Sequence, residues 1–213
     1  RTTSSAASDV YKRQIDFSIS EPTHKPPSFV VEEYKKYSPT IGKAINGAGG
    51  YGGLRELRGT MYSWLKTRHA LKSKTFTENN VIGTNGGAEG IFSAIQILAE
   101  GERDGYIVLP NPSDPIYETA GRIAGLQPLY CSTMTSQQPT YRDITEEQWP
   151  KVKIVVVNSP ADPYGADLPV LTWEFLLNQS EEHDFYILSD ERLNSIQRGL
   201  SLIHISEPTR QIV

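Results

Sequence analysis

The sequence predicts an α/β fold with a mostly parallel sheet and helices on both of its faces. Short apolar segments bounded by turn residues alternate with segments of helical spacing across residues 81–188. This order is typical of parallel strands joined by crossover helices. Residues 153–158 are almost continuously apolar, as expected for a strand that is covered on both faces.

The same periodicities predict the individual elements. The expected strands are residues 81–84, 106–109, 128–131, 153–158 and 185–188. The expected helices are residues 28–36, 54–69, 87–100, 116–124 and 171–183. Prolines keep residues 15–27 extended, and glycines make residues 42–53 a loop. The alternating part therefore begins after an N-terminal arm.

Both ends of the chain resemble translated sequencing-adapter DNA. Residues 4–14 look like an in-frame translation of a transposon sequencing adapter. Residues 200–210 look like an in-frame translation of the reverse complement of the partner adapter. We therefore expect adapter-derived tails at residues 1–14 and 200–213. Residues 15–50 are then an N-terminal arm and loop, and residues 51–199 are part of a larger ligand-binding domain.

Composition and charge narrow the classes of function. The net charge is −4, with 38% hydrophobic and 22% charged residues, so we expect neither a nucleic-acid partner nor a membrane partner. The single cysteine, Cys131, cannot form an internal disulfide. We expect a plain buried thiol and a cytoplasmic protein.

Ligands of parallel sheets bind beyond the carboxyl ends of the strands, and a glycine-rich segment follows the first predicted strand. In this segment Gly86, Gly87 and Ala88 precede an apolar helix. Their backbone N–H groups can form a phosphate cup at the helix N-terminus. The alternative is an ordinary glycine turn that leads into a helix.

Two later segments follow buried strands in the same way. Residues 158–166 form a loop made rigid by two prolines and a glycine. Asp190 ends the last strand, where its carboxylate can pair with a cationic ring nitrogen. Alone, Asp190 is better explained as a helix N-cap or a surface acid.

Together these segments resemble class I/II aminotransferases of pyridoxal-phosphate (PLP) fold type I. The resemblance rests on Asn-Gly-Gly-Ala-Glu-Gly-Ile-Phe from residue 85, Ser-Pro-Ala-Asp-Pro-Tyr-Gly-Ala from residue 159 and Phe-Tyr-Ile-Leu-Ser-Asp-Glu from residue 185. It covers residues 15–198 and is closest to the branch that contains N-succinyldiaminopimelate aminotransferases. Residues 51–199 then represent a fragment of the PLP-binding large domain.

The resemblance implies a cofactor, substrates and an assembly. PLP would be held by Gly86, Gly87 and Ala88 at its phosphate and by Asp190 at its protonated pyridine nitrogen. The substrates would be an amino acid and a 2-oxo acid, and the full-length protein would be a homodimer. The family's cofactor-linking lysine should follow Asp190, but no lysine follows Lys153. We therefore expect the chain as given to be inactive.

The chain departs from the family pattern at the cofactor. Asp114 stands where an aromatic ring usually stacks on the cofactor, and Tyr117 matches a second, flanking aromatic. Asp162 replaces an asparagine and Leu193 replaces a tyrosine, both of which donate hydrogen bonds to the ring oxygen, whereas a carboxylate only accepts them. Ser20 replaces a glycine. Asp114, Tyr117 and Asp162 nevertheless remain candidate cofactor-binding residues.

Three other functions remain open from the sequence. The substitutions suit a non-catalytic paralogue that keeps the fold for binding or dimerisation. Another PLP reaction, such as that of a lyase or decarboxylase, is compatible with the same fold. A simple nucleotide-binding domain is disfavoured, because residues 85–90 do not form a G-x-G-x-x-G fingerprint.

Overall fold

A computed structural model describes residues 24–40, 52–69, 71, 76–101, 104–134, 136–194 and 211–212. The chain divides into two compact units, Arg1–Ala48 and Gly49–Val213. In the first unit, helix α1 (Ser28–Tyr37) is followed by a 3-10 turn. This confirms the predicted helix over residues 28–36. Ser20 lies outside the described residues.

The second unit contains the predicted parallel sheet. Its strands are β1 (Tyr106–Asn111), β2 (Gln127–Ser132), β3 (Val152–Asn158), β4 (Tyr186–Asp190) and β5 (Gln211–Ile212). They lie in the order β2-β1-β3-β4-β5, and every neighbouring pair is parallel. The first four confirm predicted strands. The short β5 lies within the segment that the sequence assigned to a tail.

Among the described residues of this unit, four helices accompany the sheet. They are α2 (Arg55–Arg68), α3 (Gly87–Leu98), α4 (Pro115–Ile123) and α5 (Val170–His183). Helix α4 begins where Asp114 caps it and Pro115 occupies its first turn, both common helix-start signals. Helix α5 ends at His183, and the next residue, Asp184, adopts a left-handed conformation that closes the helix. All four were predicted to within a few residues.

The predicted strand over residues 81–84 was wrong. Only Val81 of this segment is buried, and the next residues are exposed. The Gly83 N–H donates to the Gly52 carbonyl at 3.4 Å, and these residues have no strand assignment. Apolar β-branched residues form a strand only when a neighbouring strand supplies a ladder of hydrogen bonds. Here a loop supplies the acceptor instead.

The core lies on both faces of the sheet, because successive side chains of a strand point to opposite sides. On one face α3 and α4 pack against Ile107, Leu109, Ile154, Val156 and Leu188. On the other face α5 packs against Val108, Val155, Val157 and Ile187. This confirms the expected helices on both faces. Within the described part of the chain, no helix has the length and apolar content needed to cross a membrane.

Candidate functional site

The carboxyl ends of the central strands bring the predicted site residues to one edge of the sheet. Asn158, the last residue of β3, is in register with Asp190, the last residue of β4. The Asp190 side chain is only 1% exposed. A carboxylate so deeply buried is costly unless cations or hydrogen-bond donors surround it.

Two side chains surround the Asp190 carboxylate. The Tyr117 hydroxyl donates to Oδ2 at 2.5 Å. Arg192 Nε lies 2.9 Å from Oδ2 and 3.0 Å from Oδ1, and its Nη2 lies 2.8 Å from Oδ2. The Arg192 backbone N–H also donates to Oδ1 at 3.1 Å. The buried charge of Asp190 is therefore paired with a guanidinium within its own loop.

The same contacts determine the protonation of the two partners. Burial and the nearby charge of Asp190 raise the pKa of the Tyr117 hydroxyl well above its usual value, so Tyr117 keeps the proton that it donates. The hydrogen bonds to Asp190 raise the pKa of Arg192, which keeps the guanidinium charged. The carboxylate thus faces one neutral donor and one permanent cation.

Asp114 has two contacts that the sequence did not predict. Its Oδ1 accepts a hydrogen bond from the Ile116 N–H at 3.0 Å, which caps α4. Its Oδ2 lies 2.8 Å from Arg192 Nη2. Partial burial acts to raise the pKa of Asp114, but the bonds from Ile116 and Arg192 outweigh it and lower the pKa. Asp114 is therefore an ionised partner of Arg192 at the place expected for a stacked aromatic ring.

The glycine-rich segment forms the N-terminus of α3 as predicted. Gly86 precedes the helix with φ of 104°, a conformation that favours glycine. The first N–H groups of a helix have no acceptor within it, so Gly87 and Ala88 present donors at this end. The Glu89 side chain accepts a hydrogen bond from the Asn85 N–H just before the helix.

Asp162 is connected to the site through its backbone. Its N–H donates to Asn158 Oδ1 at 2.6 Å, while the residue itself is exposed. Asn158 Nδ2 and the Ser159 N–H both donate to the Asp190 carbonyl, at 3.4 and 3.2 Å. The buried Gln138 donates to the Asn158 carbonyl at 3.0 Å. These bonds hold the loop after β3 against the end of β4.

The structure therefore brings together four of the predicted residues, Gly87, Asp114, Tyr117 and Asp190, around a residue that sequence reasoning missed. That residue is Arg192. Its only sequence signal is a basic residue directly after the acidic pair that ends a buried strand. Asn158 was also missed as a positioning residue, although it ends the most apolar strand. Leu193 is partly buried and follows Arg192 directly.

The comparison with protein families decides the assignment. The family model for aminotransferase class I and II matches residues 12–193. The chain belongs to this family. Members of the class I and II aminotransferase family use PLP, as the resemblance implied.

Several known aminotransferases are similar to the chain. It is 26% identical over 186 residues to a (5-formylfuran-3-yl)methyl phosphate transaminase of Methanocaldococcus jannaschii, covering 87% of this chain and 45% of that one. It is 30% identical over 142 residues to an aspartate/prephenate aminotransferase of Thermus thermophilus, covering 65% and 35%. The crystal structure of an aminotransferase from Neisseria meningitidis superposes with a TM-score of 0.77 at 27% identity, covering 90% and 49%. The chain thus spans less than half the length of these relatives.

The residues of the site fit two ends of PLP. Asp190 is a buried carboxylate that takes a cationic partner, as a protonated pyridine nitrogen would be. Gly86, whose φ is 104°, directly precedes the N-terminus of α3. Phosphate groups bind favourably at helix N-termini. At the ring oxygen the fit is poorer, because Leu193 has no polar group and a carboxylate at Asp162 only accepts hydrogen bonds.

Proposed function

We propose that the whole protein is a PLP-dependent enzyme that transfers an amino group from an amino acid to a 2-oxo acid. The observation that supports this most directly is the buried Asp190 at the carboxyl end of β4. Its partner Arg192 also packs against Gly87 at the N-terminus of α3. The membership of the family supports the same conclusion. Because the chain spans less than half of its relatives, the activity is assigned to the whole protein.

The predicted residues at the two ends of the cofactor have different roles in this proposal. When bound, PLP stabilises the negative charge that develops on the α-carbon of the amino acid. Gly86, Gly87 and Ala88 bind the phosphate through backbone N–H groups. Asp190 keeps a proton on the pyridine nitrogen by pairing with its positive charge. The Tyr117 hydroxyl holds the Asp190 carboxylate in the orientation that faces the ring.

We also propose that the chain by itself is inactive. No lysine follows Lys153 in its sequence, and the family's covalent link to the cofactor requires a lysine on a later strand. With PLP, an amino acid and a 2-oxo acid supplied, the chain should form no product. Turnover by the chain alone would contradict this proposal.

The experiment is an amino-transfer assay on the whole protein with panels of amino acids and 2-oxo acids. D190N should lower kcat about 100-fold, because an electrostatic group acting on the reacting system is lost. D143N is the matched control, since Asp143 is an exposed aspartate before β3. Equal activities of D190N and D143N would contradict the role of Asp190.

The second candidate is the non-catalytic paralogue. It is favoured by the pairing of Asp190 with Arg192 and by the absence of a ring-oxygen donor at Leu193. In that case the whole protein binds pyridoxamine 5'-phosphate but gives no turnover with any substrate pair. Product released without a 2-oxo acid would instead indicate a lyase or decarboxylase.

Three finer expectations complete the proposal. We propose that the whole protein is a homodimer, which the family resemblance supports, and light scattering would test this. We propose a cytoplasmic location, which the single cysteine supports. The resemblance to the branch of N-succinyldiaminopimelate aminotransferases remains a prediction from the sequence. The names of two relatives give different substrates, a (5-formylfuran-3-yl)methyl phosphate in one and aspartate or prephenate in the other, so the panels of donors and acceptors decide it.

A further inference from the structure

Arg192 joins Asp114, which departs from the family pattern, to Asp190, which matches it. We call Asp114, Tyr117, Asp190 and Arg192 the Arg192 network. In it, Arg192 Nη2 lies 2.8 Å from both Asp190 Oδ2 and Asp114 Oδ2. The two carboxylates differ in environment, because the Asp190 side chain is 1% exposed and that of Asp114 is 28% exposed. One arginine thus connects an inner and an outer carboxylate.

The aliphatic part of Arg192 covers the N-terminus of α3. A Cβ added to Gly87 would lie 3.0 Å from Arg192 Cγ and 3.4 Å from its Nε, and closer still to Cδ. Arg192 therefore extends from Gly87, where the phosphate is proposed to bind, to Asp190, where the ring nitrogen is proposed to bind. Arg192 thus lies between the two groups to which the cofactor is proposed to bind.

We propose that Arg192 is an internal counter-ion that takes the place of the cofactor on Asp190. To bind there, PLP must displace Arg192 from Asp190. The exchange keeps the charge balanced, because one cation replaces another on a carboxylate that is too buried to stay unpaired. Asp114 receives the displaced guanidinium, since it lies nearer to solvent and already contacts Nη2. This inference rests on the proposed function, because it assumes that Asp190 faces the cofactor ring.

The two positions of Arg192 predict opposite effects of two substitutions. A ligand whose binding-competent state is a minor population of roughly 1–10% binds 10-fold to 100-fold more weakly than it would to that state alone. R192Q removes the competing cation and should tighten binding by about that factor. D114N removes the outer partner, which matters most once Arg192 has left Asp190, and should weaken binding.

The test is calorimetric titration of the 213-residue chain with pyridoxamine 5'-phosphate, whose amine needs no lysine for binding. R122Q is the matched control, because Arg122 pairs with Glu118 at 2.8 Å on α4 outside the network, and it should bind as the unsubstituted chain does. R192K keeps the charge but not the two-pronged contact, and should tighten binding less than R192Q. It keeps the inference testable if R192Q fails to fold.

A second readout is thermal unfolding without ligand. R192Q should melt at a lower temperature than the unsubstituted chain and gain more from added ligand. Equal or weaker ligand binding by R192Q and R192K would overturn the inference while leaving the cofactor site in place. Failure of the unsubstituted chain and of every variant to bind would reject the cofactor site itself, and the inference with it.

Discussion

Two buried tyrosines allow the strength of the Tyr117–Asp190 hydrogen bond to be measured against an internal control. Tyr117 is 1% exposed and its hydroxyl donates to the Asp190 carboxylate at 2.5 Å. Tyr141 is 0% exposed and its hydroxyl donates to the Val156 carbonyl at 3.0 Å. The substitutions Y117F and Y141F remove the same atom at equal burial. They differ in the charge of the acceptor.

The acceptor determines the expected loss of stability. A hydrogen bond to a charged group contributes about 1.5–3 kcal/mol, and one between neutral groups about 0.5–1.5 kcal/mol. Asp190 keeps Arg192 as a partner in Y117F, so its loss should lie near the middle of the first range, about 2 kcal/mol. Y141F should lose about 1 kcal/mol. The expected difference in the free energy of unfolding is therefore about 1 kcal/mol.

The assay is equilibrium unfolding of the chain in urea, followed by tryptophan fluorescence. Equal m values among the variants are required, because a changed slope would indicate a changed unfolded or native state. Y117F should unfold at the lowest urea concentration, then Y141F, then the unsubstituted chain. If Y117F loses no more stability than Y141F, the charge of Asp190 does not strengthen the bond, and the reasoning fails.

Two further predictions concern packing and burial. A Cβ at Gly121 would lie 2.8 Å from Ile107 Cγ2, so G121A should destabilise the chain. Overpacking costs about 1–3 kcal/mol, which outweighs the gain in helix propensity of about 1 kcal/mol. In the control G59A the nearest atom is a side-chain oxygen at 3.5 Å, so urea unfolding should show a gain in the free energy of unfolding. If G121A and G59A changed this free energy in the same direction, the argument would be contradicted. Burial raises the pKa of the Cys131 thiol to about 12, so iodoacetamide at about pH 8 should alkylate the folded chain roughly 1,000-fold more slowly than the unfolded chain. Mass spectrometry measures both rates, and similar rates would show that the thiol is accessible.

Local patterns in the sequence determined most of the fold. The alternation of apolar strands and amphipathic helices predicted β1 to β4 and α1 to α5, because the period of side-chain burial follows directly from backbone geometry. The motif segments indicated the family, which the family model confirms. The predicted strand over residues 81–84 failed because a strand depends on a partner that its own residues do not specify.

The tertiary structure alone decided how the site residues interact. In the sequence, Asp114 is only a replacement for the family's aromatic residue, and Arg192 belongs to no motif. In the folded chain the two are joined across 78 residues at 2.8 Å. The contact forms where the segments that follow β1 and β4 meet at the carboxyl edge of the sheet, and its strength depends on burial next to Asp190. Such a pairing has no local periodicity, so residue types and spacing could name Asp190 as a site residue but not the cation that holds it.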